Sequence, residues 1–171
     1  MIISCSRRSD IPAFYANWFF NRLRAGDVCV RNPRNARQVR RVSLAAADVD
    51  CFVFWTKDPA PMLDRLHLLQ DYPSYFQFTL TPYGCDIEPH LPPKTKITDT
   101  FRRLSDSIGA QRVIWRYDPI LLSKDISVSY HVDHFGEMAG RLSGHTRKVV
   151  ISFIDMYRHI QNRMRNLSVR S

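Results

Sequence analysis

"CFVFWTKDPAPMLDRLHLLQDY", residues 51–72, decides the fold. Its first six residues, Cys51–Thr56, are β-branched, aromatic or small and read as a buried strand. Lys57, Asp58 and Pro59 then break the apolar run. Beyond them Met62, Leu63, Leu66 and Leu69 recur at helical spacing. A strand that turns polar and gives way to a helix is a βα unit, and the chain repeats it.

Further strand-like runs lie at Ile2–Cys5, Val28–Arg31, Tyr75–Thr81, Arg112–Tyr117 and Lys148–Ile154. Helical stretches separate most of them. In residues 14–26, Phe14, Trp18 and Leu23 fall near one face and Gly26 marks the end. Residues 97–109 repeat the pattern with Ile97, Phe101, Leu104 and Ile108 before Gly109, and residues 129–144 close on Gly144. Strands alternating with helices of this length predict an α/β fold of repeated βα units, with a mainly parallel sheet of six to seven strands. Ile2–Cys5 is expected inside that sheet. Only residues 27–44 break the rhythm: "VCVRN" and "QVRRVSL", joined through Asn32-Pro33-Arg34-Asn35, read as a hairpin or a strand pair at the sheet edge. The proline-rich "EPHLPPK", residues 88–94, reads as a surface loop.

With 171 residues, 44% of them hydrophobic, the chain suits a single α/β domain, residues 1–171, with a substantial core. Ten Phe, seven Tyr and three Trp exclude a disordered tail. No apolar stretch approaches the roughly 18 residues of a membrane span, and the N-terminus lacks the layout of a signal peptide. A cytoplasmic protein with no membrane partner is the expectation. Cys5, Cys29, Cys51 and Cys85 stand singly, without the close pairs that metal sites draw on, so no metal site is read from them. Cys29 and Cys51 lie in apolar runs and read as small core residues. His131 and His134, three apart on a helix, read as an exposed pair with little claim to a metal.

The formal net charge is +9. Arg31, Arg34, Arg37, Arg40 and Arg41 crowd one window, and from residue 141 onward seven basic residues face a single acid, Asp155. Such patches hold phosphate, nucleic acid or an anionic cofactor, or simply form a solvated face.

Each main strand ends in polar residues: "SRRSD", "FWTKDP", "FTLTPY", "WRYDP" and "SFIDMY". Parallel α/β folds assemble their sites at that edge. Charged groups are costly to bury unpaired, so Arg7, Arg8 and Asp10 at the end of the first strand need a reason to be there. They read as one wall of a pocket whose other walls are Thr56 and Lys57, Thr79, Thr81 and Tyr83, Arg116 and Asp118, and Asp155. In "WRYDP", Arg116 and Asp118 read as a charge pair on the last residues of a buried strand.

"SRRSDIPAFY", "VRNPRNARQVRRVSL", "VDCFVFWTKDPAPML", "YFQFTLTPYG", "DIEP" and "RVIWRYDPILL", in this order, resemble the bacterial family named domain of unknown function 1848. The resemblance runs from residue 2 to about residue 160 and implies a partial TIM-like, radical-SAM-like barrel. Members of that family are longer, and their C-terminal part carries a cysteine cluster similar to the iron–sulfur site of radical S-adenosylmethionine enzymes. The resemblance therefore implies [4Fe–4S] and S-adenosylmethionine as cofactors of full-length members. This sequence has no CxxxCxxC and so no ordinary ligand set for such a cluster. It is expected to be the family's N-terminal portion, an incomplete barrel without the cysteine-cluster segment, from a truncated or fragmentary gene.

Three functions follow as expectations. The first is the substrate side of a radical enzyme, where Arg7, Arg8, Lys57 and Arg116 bind a small anionic ligand and Asp10, Asp118 and Asp155 orient those cations or bind hydroxyl or amine groups. The same residues equally read as a structural ion-pair network. The second is a basic nucleic-acid-binding or processing module using the 31–41 segment. The third is an inactive fragment. GxSxG, P-loop, HExxH and glycine-rich dinucleotide motifs are absent.

Overall fold

The computed structural model describes residues 1–5 and 8–154. Among the described residues seven strands are formed: β1 (Ile2–Cys5), β2 (Asp27–Asn32), β3 (Asn35–Ser43), β4 (Cys51–Thr56), β5 (Ser74–Thr79), β6 (Val113–Ile120) and β7 (Val149–Phe153). The helices are α1 (Ile11–Phe14), α2 (Ala16–Ala25), α3 (Lys94–Ile108) and α4 (Val128–Arg141). Five strands make one parallel sheet in the order β1-β4-β5-β6-β7, while β2 and β3 pair antiparallel as a separate sheet. With the hairpin set aside, every strand lies beside the next in the chain. That is the stave order of an α/β barrel rather than of a doubly wound sheet, whose order reverses. The fold is thus a partial α/β barrel-like arrangement.

The period-2 alternation of the strands divides the sheet into two chemically different faces. Phe52, Phe54, Phe76, Phe78, Trp115 and Tyr117 point to one side and are fully buried there against Phe19, Phe20, Met62, Ile97, Phe101 and Leu104 of the helical layer. Phe54 and Phe76, paired in register, stack at 4.6 Å, and Phe19 meets Phe52 and Phe54 edge-on at 5.5 and 5.3 Å. Truncating any of these rings to Ala removes about 3–5 kcal/mol of stability. Trp55, Gln77 and Arg116 alternate to the opposite face.

Several expectations change. β1 pairs only with β4 among the described residues, so it forms a sheet edge instead of lying inside. The hairpin stands apart from the main sheet, joined to it by no strand ladder. On α2 the buried face is Ala16, Phe19 and Phe20, leaving Phe14 and Trp18 exposed, because Tyr15 ends α1 and restarts the helical phase. Gly26 ends α2 in the left-handed conformation, φ +78°, as its position implies. Residues 60–69 wind as a 3₁₀ helix. Pro59 and Pro61 remove amide donors at its start, and Asp58 takes the Ala60 N–H at 3.1 Å. α4 ends at Arg141, three residues before Gly144.

Cys29 is exposed on the hairpin and Cys51 is half-buried; only Cys5 is a core thiol. Most of the hairpin is exposed among the described residues, so its apolar residues bury little. His131 is buried and bridges the Tyr117 hydroxyl (2.8 Å) and the Leu121 carbonyl (2.8 Å), a structural linker between β6 and α4. No helix among the described residues is long and apolar enough to cross a membrane.

Candidate functional site

The C-terminal ends of β4 and β5, the turn after β1 and residues 90–92 enclose a cleft of about 440 Å³. Arg8, Asp10, Thr56, Lys57, Thr79 and His90 line it. Five of these are residues whose place at polar strand ends marks them in the sequence. Asp10 shapes the cleft. One carboxylate oxygen accepts the Ala13 N–H at 2.9 Å and caps α1; the other accepts the Lys57 N–H at 2.7 Å. A single side chain so ties the turn after β1 to the end of β4. Burial pushes the Asp10 carboxyl up against the opposing pull of those amides. Thr56 is buried and its hydroxyl accepts the Asp58 N–H at 3.1 Å, holding the turn that presents Lys57. Both acids of the cleft, Asp10 and Asp58, spend oxygens on backbone amides.

Lys57 Nζ pairs with Glu88, and the same carboxylate pairs with Lys94 at the start of α3. Thr81 donates its hydroxyl to Glu88 at 3.0 Å. The Glu88 side chain is 7% exposed, against 41% for Lys57 and 29% for Lys94. Burial alone would raise its carboxyl, but the hydrogen bonds and charges of Lys57 and Lys94 outweigh that and hold it below the ordinary value. Residues 88–94 are therefore not a simple surface loop: Glu88 faces inward because two lysines and a threonine require it. Two cations share one anion, so this triad keeps a net positive charge beside the cleft.

On the face away from the helices a polar row crosses all five strands. Trp55 Nε1 donates to Ser4 Oγ at 3.0 Å. The Arg116 guanidinium lies over the Trp55 ring, 4.9 Å from its centroid, and donates to Gln77 Oε1 at 3.4 Å. Arg116 pairs with Asp118, and Ser152 of β7 donates to Asp118. The Arg116 and Asp118 side chains are 17% and 20% exposed. The charge pair read in "WRYDP" is formed, and both partners make further contacts within the sheet.

Tyr83 does not line the cleft. Its hydroxyl donates to the Pro119 carbonyl at 2.6 Å and accepts the Leu121 N–H at 2.8 Å, and burial pushes its phenol up to about 12. It ties the loop after β5 to the end of β6. Thr81 is fully buried on Glu88. Arg7 and Asp155 lie outside the described residues. Glu88, Lys94, His90, Trp55 and Ser152 are site residues that the strand-end pattern alone does not single out.

The arginine-rich segment forms the β2–β3 ribbon, exposed along most of its length. Cross-strand register puts Arg40 beside Val30 on one face, and Arg41 beside Cys29 and Arg31 beside Val39 on the other. Arg41 is paired with Asp27. The basic residues are thus divided between two faces.

The thiols do not fit an iron–sulfur cluster. They stand on β1, β2, β4 and the loop after β5, and among the described residues no three His, Cys, Asp or Glu side chains gather into a metal-binding group. Burial pushes the Cys5 thiol up to about 12, far from the thiolate a cluster needs.

No curated protein and no solved structure matches this chain. One family model does, over residues 2–171: Domain of unknown function (DUF1848). Fold, strand-end chemistry and motif order sit within that match, and the chain belongs to the DUF1848 family.

Proposed function

We propose that this protein binds a small carboxylate- or phosphate-bearing ligand in the cleft at the C-terminal strand ends. The observation that carries the reading is Lys57: it lines the cleft, remains 41% exposed, and shares the acid it pairs with, Glu88, with a second lysine. Its ammonium has three N–H donors, and Glu88 takes one direction. Arg8 and His90 add donors to the same walls, while the acids there are turned onto backbone amides. A small anion entering the cleft meets charge-assisted donors without displacing a buried partner.

In the family context we read this cleft as the substrate side of an S-adenosylmethionine-dependent radical enzyme in full-length members, whose iron–sulfur ligands would not be the four thiols of this sequence. The radical-SAM resemblance and the barrel-like stave order support that reading. The residues of the cleft account for binding and orientation only; their chemistry supplies no electron transfer.

Calorimetric titration with inorganic phosphate and with succinate tests the proposal. Saturable binding that weakens about tenfold in Lys57→Met supports it, since one charge-assisted contact is lost. Equal affinity in the wild type and Lys57→Met contradicts it.

A further inference from the structure

A second, more apolar cavity of about 540 Å³ lies between β1, α2 and the β2–β3 hairpin. Ile3, Ile11, Phe19, Val28, Leu44 and Phe52 supply its apolar walls. Arg8, Arg22 and Arg31 also line it, and among the described residues no aspartate or glutamate does. Its size is that of a small-molecule pocket. Trp18 and Val30, about half exposed, stand among its lining residues.

Two of these charges, Arg22 and Arg31, are under-compensated among the described residues. Arg22 reaches Asp27 only at 3.9 Å, and that carboxylate already pairs with Arg41. Arg31 makes no ion pair among the described residues. An arginine beside an apolar wall is satisfied by a planar anion, which the guanidinium fork binds in bidentate fashion. An apolar wall is satisfied by a hydrocarbon body. One ligand class meets both demands.

We propose that this cavity binds a medium-chain fatty carboxylate, with the chain against Ile3, Phe19 and Phe52 and the carboxylate on Arg22 and Arg31. A nucleic acid would meet the arginines but leave the apolar walls unfilled.

Sodium decanoate below its micelle concentration is the probe, read through tryptophan emission. The expected result is a saturable change that disappears in Trp18→Phe, with affinity for decanoate about tenfold above that for 1-decanol, as expected when a charge-assisted contact is present. Arg22→Glu and Arg31→Glu should each weaken decanoate binding while leaving phosphate titration as in the wild type, because neither lines the strand-end cleft. Alkylation of the exposed Cys29, which also lines the cavity, should slow under saturating decanoate. Equal affinity for decanol and decanoate overturns the proposal. So do unchanged decanoate affinity in both arginine variants, Cys29 alkylation at the same rate with and without decanoate, and binding to anionic phospholipid vesicles without binding of monomeric decanoate. Because the arginine variants leave the phosphate cleft intact, failure here is separable from failure of the strand-end site.

Discussion

Glu88 reaches Lys57 from thirty-one residues further along the chain, and the pair locks the loop after β5 onto the end of β4. The contact links a proline-rich segment to a buried strand. It also sets the charge of the cleft, because the same carboxylate serves Lys94.

Glu88 makes the fold acid-sensitive. Its folded value lies below the ordinary 4.5, so its stabilisation is complete above that value and is lost as pH falls through the folded value. Glu88→Gln should cost about 2 kcal/mol at neutral pH, less than a fully buried pair because both lysines are partly exposed. Urea midpoints of wild type and variant should converge as pH drops below 4.5. Asp10 acts with the opposite sign: its raised folded value means that protonation favours the fold, so Asp10→Asn separates the two contributions.

Asp10→Ala removes a helix cap and leaves the Lys57 N–H without its acceptor. Caps contribute about 1 kcal/mol and an orphaned donor costs about 1–3 kcal/mol, which together give a loss of about 3 kcal/mol in chemical denaturation. Asp10→Asn keeps the cap oxygen but turns an amide donor toward the Lys57 N–H, so it should lose about half as much as Ala. Equal stability of all three proteins contradicts the assigned geometry.

Arg116→Met tests the polar row. Asp118 would keep only Ser152, and Trp55 would lose the cation over its ring. A loss of about 3 kcal/mol is expected, the range for breaking a largely buried pair, together with a shifted Trp55 emission. An unchanged midpoint would mean that the row contributes nothing to holding β4, β5 and β6 together.

Much of the fold is legible because the strands declare themselves. "FVF" and "FQF" put phenylalanine at every second position, as strands with one face beneath a helical layer do. The expected strand ranges therefore match β1, β4, β5, β6 and β7 to within two residues at most ends. The sheet position of β1 is not legible, since apolar content is the same for an edge and an interior strand when helices cover one face. The surface fate of Cys29 is hidden for a related reason: whether a hairpin packs against a sheet is settled by contacts far away in the chain.

The cleft is half legible. Polar residues after apolar runs point to Asp10, Thr56, Lys57 and Thr79, because a parallel sheet brings those ends together. Arg116 and Asp118 follow from their spacing on one strand, though not the Trp55, Gln77, Ser4 and Ser152 partners. A signal for part of that row does exist: Trp55 follows Phe54, Gln77 sits between two phenylalanines and Arg116 between Trp115 and Tyr117, which marks a second face in three neighbouring strands. Glu88 carries no such mark. Its inward turn depends on Lys57, Thr81 and Lys94, none adjacent to it in sequence.

The proposed anion site depends on Lys57 and Lys94 sharing one carboxylate. Phosphate affinity measured by calorimetry in Lys57→Met and Glu88→Gln tests it most directly. Removing the cation should weaken binding about tenfold, whereas removing the competing acid should strengthen it several-fold, by roughly 1 kcal/mol for one charge at a partly exposed site. Lys94→Met, which leaves Glu88 to Lys57 alone, should weaken binding although Lys94 does not line the cleft. Effects of opposite sign for Lys57→Met and Glu88→Gln are the predicted result. If both variants lose stability while phosphate affinity stays at the wild-type value, the network is structural only and the account is wrong.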